Sequence, residues 1–181
     1  MPGFVALLRG VNVGGSNRVP MADFRALLEG LGYTRVGTLL NSGNAVFLSK
    51  TGGPQLHAGR IRGQLASRLR VDVQVIVKSA KQIADIVAGN TLAAQATDAS
   101  RLLVAFTSDA KSLESLAALA SLVRSPERLH LGEHAVYLCC HNGILQSKAG
   151  SALLGKLGQA ATTRNWATVL KIRAMLGETA A

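Results

Sequence analysis

Cysteine is nearly missing from this chain: only Cys139 and Cys140 occur, side by side. Neighbours on a strand point to opposite faces, which disfavours a bridge between them. They read as two thiols on a strand, one of them buried, in a reducing compartment. Aromatics are as scarce, at 4%. Recognition of RNA on a sheet needs aromatics on central strands, and only Phe4 and Phe47 qualify. Acids number ten against twenty Lys and Arg, and no pair has the spacing of a general acid/base motif. No apolar run reaches the about 18 residues of a membrane span. The run Phe4–Leu8 is too short for a signal peptide and has no basic residue before it. These absences make the cytoplasm the expected location.

What is present is a chain of 181 residues, 48% of them hydrophobic. A chain of this size buries about 70% of its extended surface and needs no disulfide or metal staple. The net charge is +10, and it is uneven. Residues 1–90 hold 11 Lys/Arg and 4 Asp/Glu, net +7, whereas residues 91–181 hold 9 and 6, net +3. Such an excess suits an anionic partner, and it also serves solubility.

Residues 4–9 read as a buried strand, followed by a glycine-rich loop from Gly10 to Asn17. Met21, Phe24, Leu27, Leu28 and Leu31 recur at helical spacing, with Pro20 at the first helical position and Gly32 at the end. Two β-rich runs, 36–40 and 45–49, flank the turn Asn41-Ser42-Gly43-Asn44. Pro54 opens a helix with Leu56, Ile61, Leu65 and Leu69 on one side, and Val73–Lys78 alternates as a strand. The order β-α-β-β-α-β is the ferredoxin-like pattern. A short helix over 80–88 and a polar, Ala-rich linker over 89–100 follow.

The pattern then restarts. Residues 101–107 form a strand, Leu113 to Val123 a helix, and 129–131 with 135–140 a hairpin around Gly132-Glu133. Helices are expected near 149–157 and from about Arg164 to Leu176, with Trp166, Val169, Leu170, Arg173 and Leu176 on or beside one stripe. The expected class is α+β: two tandem ferredoxin-like subdomains, 1–89 and 90–181, the second incomplete because a helix stands where its fourth strand belongs.

A ferredoxin-like sheet has strand order 4-1-3-2, so the loop after strand one and the turn after strand two leave at the same end. That topology brings Arg9, Asn12, Gly14, Gly15, Asn17 and Arg18 near Asn41, Ser42 and Asn44, with Arg70 and Asp72 in range. Amides of a glycine loop form a nest for an anion, the first helix adds its positive end, and arginines add bidentate donors. The loop is neither a P-loop nor G-x-G-x-x-G. It also suits a plain wide loop whose glycines take positive φ and whose asparagines satisfy its backbone.

A second feature is Thr162-Thr163-Arg164-Asn165-Trp166. Thr163 fits an N-cap of the last helix, which leaves Arg164 and Asn165 in its first turn. A cation there is disfavoured by the helix dipole; a bound anion or a buried carboxylate would each remove that penalty. Trp166 reads as a core anchor.

Three segments together carry a resemblance. Ala6-Leu7-Leu8-Arg9-Gly10-Val11-Asn12-Val13-Gly14-Gly15 with Val19-Pro20-Met21, Asn41-Ser42-Gly43-Asn44-Ala45-Val46-Phe47, and Thr163-Arg164-Asn165-Trp166-Ala167-Thr168-Val169 resemble the bacterial family called domain of unknown function 1697. The resemblance spans almost the whole chain. It implies a cytosolic protein of similar size with paired ferredoxin-like subdomains, and it supplies no reaction. Ser16 stands where many members carry lysine, and Leu39 where many carry tyrosine.

His57, His130, His134 and His141 with the two cysteines invite a zinc reading, but a hairpin around Gly132-Glu133 separates His130 from His141. No G-x-S-x-G occurs. No catalytic set and no cofactor is named by these residues. The leading expectation is a small phosphate- or nucleotide-like anion at the rim. The alternatives are sequence-tolerant nucleic-acid binding through Arg60, Arg62, Arg68 and Arg70, with no acid between Pro54 and Arg70, or a protein-interaction module.

Overall fold

The computed structural model describes residues 1–180. The chain divides into two compact units, one running from Met1 to Ile83 together with the residues from Ile172 onward, the other from Ala84 to Lys171. Each is built on a four-stranded antiparallel sheet.

In the first unit the order is β1 (Gly3–Leu8), α1 (Met21–Gly30), β2 (Thr34–Leu39), β3 (Asn44–Leu48), α2 (Pro54–Gln64) and β4 (Val75–Ser79). The strands lie in the order β2-β3-β1-β4, which is the expected ferredoxin-like order. Phe4, Ala6 and Leu8 of β1 point into a core shared with Phe24, Leu27 and Leu28 of α1 and Ile61 of α2. Each large side chain buried there contributes about 1.5–3 kcal/mol of apolar transfer. Helix α1 stops in a Schellman motif: Gly32 sits at φ +83°, its N–H donates to the Glu29 carbonyl, and the Tyr33 N–H donates to that of Leu28.

Helix α2 buries His57 and Ile61, and Leu65 just after it continues the same four-residue spacing, while Leu56 is exposed. The apolar spacing had placed Leu56 inside; a histidine takes that role because aromatic partners surround it. The His57 ring lies within 4.6 Å of Phe4, 5.1 Å of Tyr33 and 5.5 Å of Phe47 between centroids, and its Nδ1 lies 2.8 Å from the Tyr33 hydroxyl. A π-helical turn, Leu65–Leu69, prolongs α2 and ends at Arg70 in the left-handed region.

Helix α3 (Ala80–Ala88) follows β4 directly. The second unit runs β5 (Leu102–Thr107), α4 (Ala110–Ser115), β6 (Arg128–Leu131), β7 (Ala135–Cys139), α5 (Lys148–Leu154) and β8 (Ala161–Asn165), before α6 (Trp166–Ala180). Its strand order, β6-β7-β5-β8, repeats that of the first sheet. The fourth strand is therefore present, where the sequence reading put the start of a helix. Ala161 to Asn165 pair with Thr107 to Leu103, and Arg164 faces Val104. Thr162 and Thr163 are β-branched and favour a strand, whereas the helical stripe of Trp166, Val169, Ile172 and Leu176 begins only at Trp166. Leu170 is off that stripe and exposed. Leu103, Ala105, Val136 and Leu138 pack with Leu116, Leu119, Ala149 and Leu153. Cys139 ends β7 and Cys140 follows it, both as free thiols, and Cys140 is fully buried. No helix among the described residues is long and apolar enough to cross a membrane.

Candidate functional site

The chain leaves β1 at Leu8 and enters a loop with repeated left-handed residues: Gly10, Asn12, Gly14, Gly15 and Asn17 all have positive φ. Val13 and Ser16 pair across Gly14-Gly15, which makes a small tight turn of the primed kind. Asparagine tolerates the left-handed region because its side chain bonds locally. Here Asn17 Nδ2 reaches the Gly10 carbonyl at 3.4 Å, and the Asn12 N–H donates to the Asn17 carbonyl at 3.2 Å.

Asn12 is the clamp of this region. Its Nδ2 donates to the Val19 carbonyl at 2.9 Å and to the Asn41 carbonyl at 2.7 Å. Its Oδ1 accepts the Val19 N–H at 2.8 Å. One side chain thus ties the glycine loop to the approach of α1 and to the β2–β3 corner, 29 residues away. The Leu8 N–H donates to the Gly43 carbonyl at 2.9 Å, which ties the end of β1 to the same corner. The corner is itself pinned: Asn44, 1% exposed, donates both amide hydrogens, to the Leu39 carbonyl at 2.8 Å and to Ser42 Oγ at 2.9 Å. Gly43 has φ +80°, and a Cβ there would lie 2.7 Å from Leu8 Cβ and 2.8 Å from Val11 Cγ2. Only glycine admits that approach.

These bonds consume the amides of Asn12 and Asn44, so both belong to the scaffold. The surface they shape is a shallow cavity of about 280 Å³ lined by Asn12, Arg18, Val19, Pro20, Met21 and Asn41. Helix α1 opens into it. Pro20 occupies the N-cap position and supplies no side-chain bond to the first turn. The first N–H groups of a helix have no acceptor within it, and the Phe24 N–H is the one that reaches back to the Pro20 carbonyl. Arg18 is exposed beside this opening, and among the described residues no acid pairs with it. Val19, Pro20 and Met21 line the cavity in addition to the residues expected from the sequence. The sign was legible: Val19-Pro20 stands where a helix entry usually carries Ser, Thr, Asp or Asn.

Arg9 ends β1 through its main chain, with its N–H on the Gln74 carbonyl at 3.0 Å; partial burial lowers the pKa of its guanidinium. Asp72 is engaged elsewhere than at Arg70. Its carboxylate accepts from Arg62 Nε at 2.8 Å on the surface. Arg70 instead ends the helical segment in the left-handed conformation, which turns the chain away before Asp72.

A family model described as a protein of unknown function, DUF1697, matches residues 1–137, including both halves of this mouth. The chain belongs to that family. Among solved structures, the chain is similar to that of the conserved bacterial protein SP0830 from Streptococcus pneumoniae, with a TM-score of 0.79 and 27% identity, covering 97% of this chain and 98% of that one. No curated protein matches the chain. The structural likeness carries the fold through both units, and neither comparison assigns an activity.

Arg164 and Asn165 lie in the second unit. Arg164 stands on β8, so the helix-dipole penalty expected for it does not arise. It is 7% exposed. Its Nη1 donates to Thr162 Oγ1 at 2.9 Å and to the Thr163 carbonyl at 2.7 Å. Burial pushes its guanidinium down to about 10, still protonated at neutral pH. The cap of α6 is Asn165, not Thr163: its Oδ1 accepts the Thr168 N–H at 2.9 Å. No group of three or more His, Cys, Asp or Glu among the described residues is placed to hold a metal.

Proposed function

We propose that the first unit binds a small phosphate-type anion, free or as part of a nucleotide, at the mouth between the glycine loop, the start of α1 and the β2–β3 corner. The observation that carries this reading is the open start of α1 beside an unpaired cation: a helix N-terminus without a side-chain cap, facing a cavity lined by Arg18. Helix amides and dipole favour negative charge at that place. Arg18 supplies the fork of donors that suits a phosphate. Gly14 and Gly15 lie exposed in the tight turn of the same loop, outside the cavity lining. Asn12, Asn41, Ser42 and Asn44 act by holding loop and corner in register, and Asn17 by closing the loop on Gly10. Arg9 adds positive charge at the end of β1. Arg164 and Asn165 are assigned to the framework of the second unit.

The basic-helix reading has less in its favour, since Arg62 is engaged by Asp72 and Arg60 lies against Tyr33 and His57. The test is a thermal-shift titration with inorganic phosphate and a nucleotide panel at constant ionic strength. A native-state ligand at a hundred times its Kd adds about 2.7 kcal/mol of stability. The reading requires a rise in Tm that Arg18→Gln removes. Absence of any shift, or a shift that Arg18→Gln leaves intact, overturns it; steeply salt-dependent binding of DNA or RNA in its place would support the basic helix.

A further inference from the structure

The second unit has a cavity of its own, about 260 Å³, on the edge of its sheet. Strand register explains how it forms. Arg128 on β6 and Leu102 on β5 are both direct neighbours of Cys139 on β7, so these three residues form a row across the sheet. The alternate β7 residue, Leu138, belongs to the opposite face and its helix-covered core. The cavity is completed by the segment before β5, through Gln95, Thr97 and Asp98, and by Arg101 and His141.

We propose that this cavity binds a compact oxyanion, a carboxylate or a phosphate monoester, between Arg101 and Arg128. Arg101 is already fixed for the task. Its Nε faces Asp98 Oδ2 at 3.3 Å and its Nη1 donates to the His141 carbonyl at 2.5 Å, which leaves Nη2 to a ligand. A guanidinium held at two points loses little freedom on making a third contact. Arg128 is exposed, and among the described residues no acid or carbonyl engages it. The wall therefore carries two guanidiniums against one carboxylate, with the His141 imidazole beside them. The neighbouring acid in sequence, Glu127, does not line the cavity; its carboxylate accepts the Arg124 N–H at 3.3 Å. Gln95 and Thr97 add neutral hydrogen-bonding groups. The volume lies below the about 300–1,000 Å³ typical of drug-sized ligands, so the occupant is small. This site is independent of the mouth in the first unit.

Cys139 makes the proposal directly testable, because it lines the cavity and is half-buried, while Cys140 is fully buried with its thiol pushed up to about 11. A neutral alkylating reagent, iodoacetamide, therefore reads Cys139 in the folded chain, with Cys139→Ser as the check on that assignment. Alkylation is followed during titration with inorganic phosphate or with succinate, chloride holding the ionic strength constant. The proposal requires saturable protection by at least one of them, and the one that protects identifies the class. Arg128→Gln must weaken that protection by about tenfold, the worth of one charge-assisted contact. Lys111→Gln, a cation of the same unit outside the cavity, must leave it unchanged. An alkylation rate indifferent to both anions, or protection equal in Arg128→Gln and the parent chain, overturns the site.

Discussion

The two units share one topology, and a telling difference between them lies at the entry to the helix after the first strand. In the second unit β5 passes to α4 through Ser108 and Asp109, and Asp109 caps the helix itself: its Oδ1 accepts the Ser112 N–H at 2.8 Å and its Oδ2 accepts from both serine hydroxyls. Those bonds hold its carboxyl below the usual carboxylate range. In the first unit the same passage is a loop of twelve residues, 9–20, and the helix opens with Pro20 and no side-chain cap. One unit satisfies its helix with an acid of its own; the other leaves the place open and puts Arg18 there. This contrast between a closed and an open copy of one element is what supports the proposal of an anion site at the open one.

The clamp that holds the open copy can be broken most severely at Gly43. Gly43→Val combines a left-handed φ with a Cβ inside contact distance of Leu8 and Val11, and the expected loss is about 3 kcal/mol in urea denaturation. Gly132, in the corresponding β6–β7 turn, is the contrast. A Cβ there meets the Tyr137 ring edge at 2.8 Å and the Ala135 carbonyl at 3.0 Å without a positive φ. Gly132→Ala should therefore cost clearly less. Equal losses would show that the β2–β3 corner is not specially constrained.

Next in size is Asn12→Ala, which removes the clamp's three side-chain bonds and leaves alanine at φ +57°. About 2 kcal/mol is expected from both terms together. Asn12→Gly relieves the backbone without restoring the three bonds, so it should recover part of that loss. If glycine recovers all of it, Asn12 serves conformation alone.

The cores differ in what they titrate. His57 is buried among aromatic rings, and burial with the nearby Arg60 lowers its pKa. The folded state therefore takes up this proton later than the unfolded chain, whose histidine titrates near 6.5. Stability from the neutral ring is complete above about pH 6.5 and falls as pH drops through the window down to the folded pKa. The second unit buries Tyr137, whose hydroxyl donates to the Ile86 carbonyl at 2.6 Å and whose pKa is pushed up to about 12; it contributes nothing in that window. Melting followed from pH 7.5 to pH 5 should show a declining Tm whose slope flattens in His57→Phe. An unchanged slope would place the acid sensitivity elsewhere.

How much of this was legible follows from the kinds of interaction involved. The β-α-β-β-α-β order and the meeting of loop with corner could be read because strand alternation and the ferredoxin-like order are fixed by short-range pattern and topology. The fourth strand of the second unit could not, because Thr162-Thr163-Arg164 runs straight into the helix at Trp166 with no breaker between them. Pairing with β5, a long-range contact, sets that boundary. The burial of His57 in place of Leu56 was hidden for a related reason: a polar residue joins a core only if partners such as Tyr33 come to it from another element. The candidate site was legible as a neighbourhood. The roles within it were not, since spacing alone cannot say that Asn12 and Asn44 spend their amides on the main chain while Arg18 keeps its donors.

Asp109→Ala opens the second unit's helix and makes it resemble the first. Its effect on Tm should be smaller than that of Asn12→Ala, because α4 has only six residues and the carboxylate is exposed. The loss should grow when pH rises from 3 to 7 in the parent comparison, since a depressed carboxyl stabilises the fold above its unfolded pKa and loses that effect on acidification.

The smallest change in stability belongs to the residue on which the functional contrast turns. Arg18 is exposed and touches no acid among the described residues, so Arg18→Gln in anion-free buffer should leave urea stability within about 0.5 kcal/mol of the parent. The same substitution should remove the Tm rise produced by phosphate. The two results test one idea from opposite sides. A cation that stabilises its own chain would show its cost without ligand, whereas a cation kept for an outside partner shows it only when that partner is present. A large loss of stability in anion-free buffer would mean that Arg18 is internal to the fold, and that the open helix of the first unit is closed by its own chain after all.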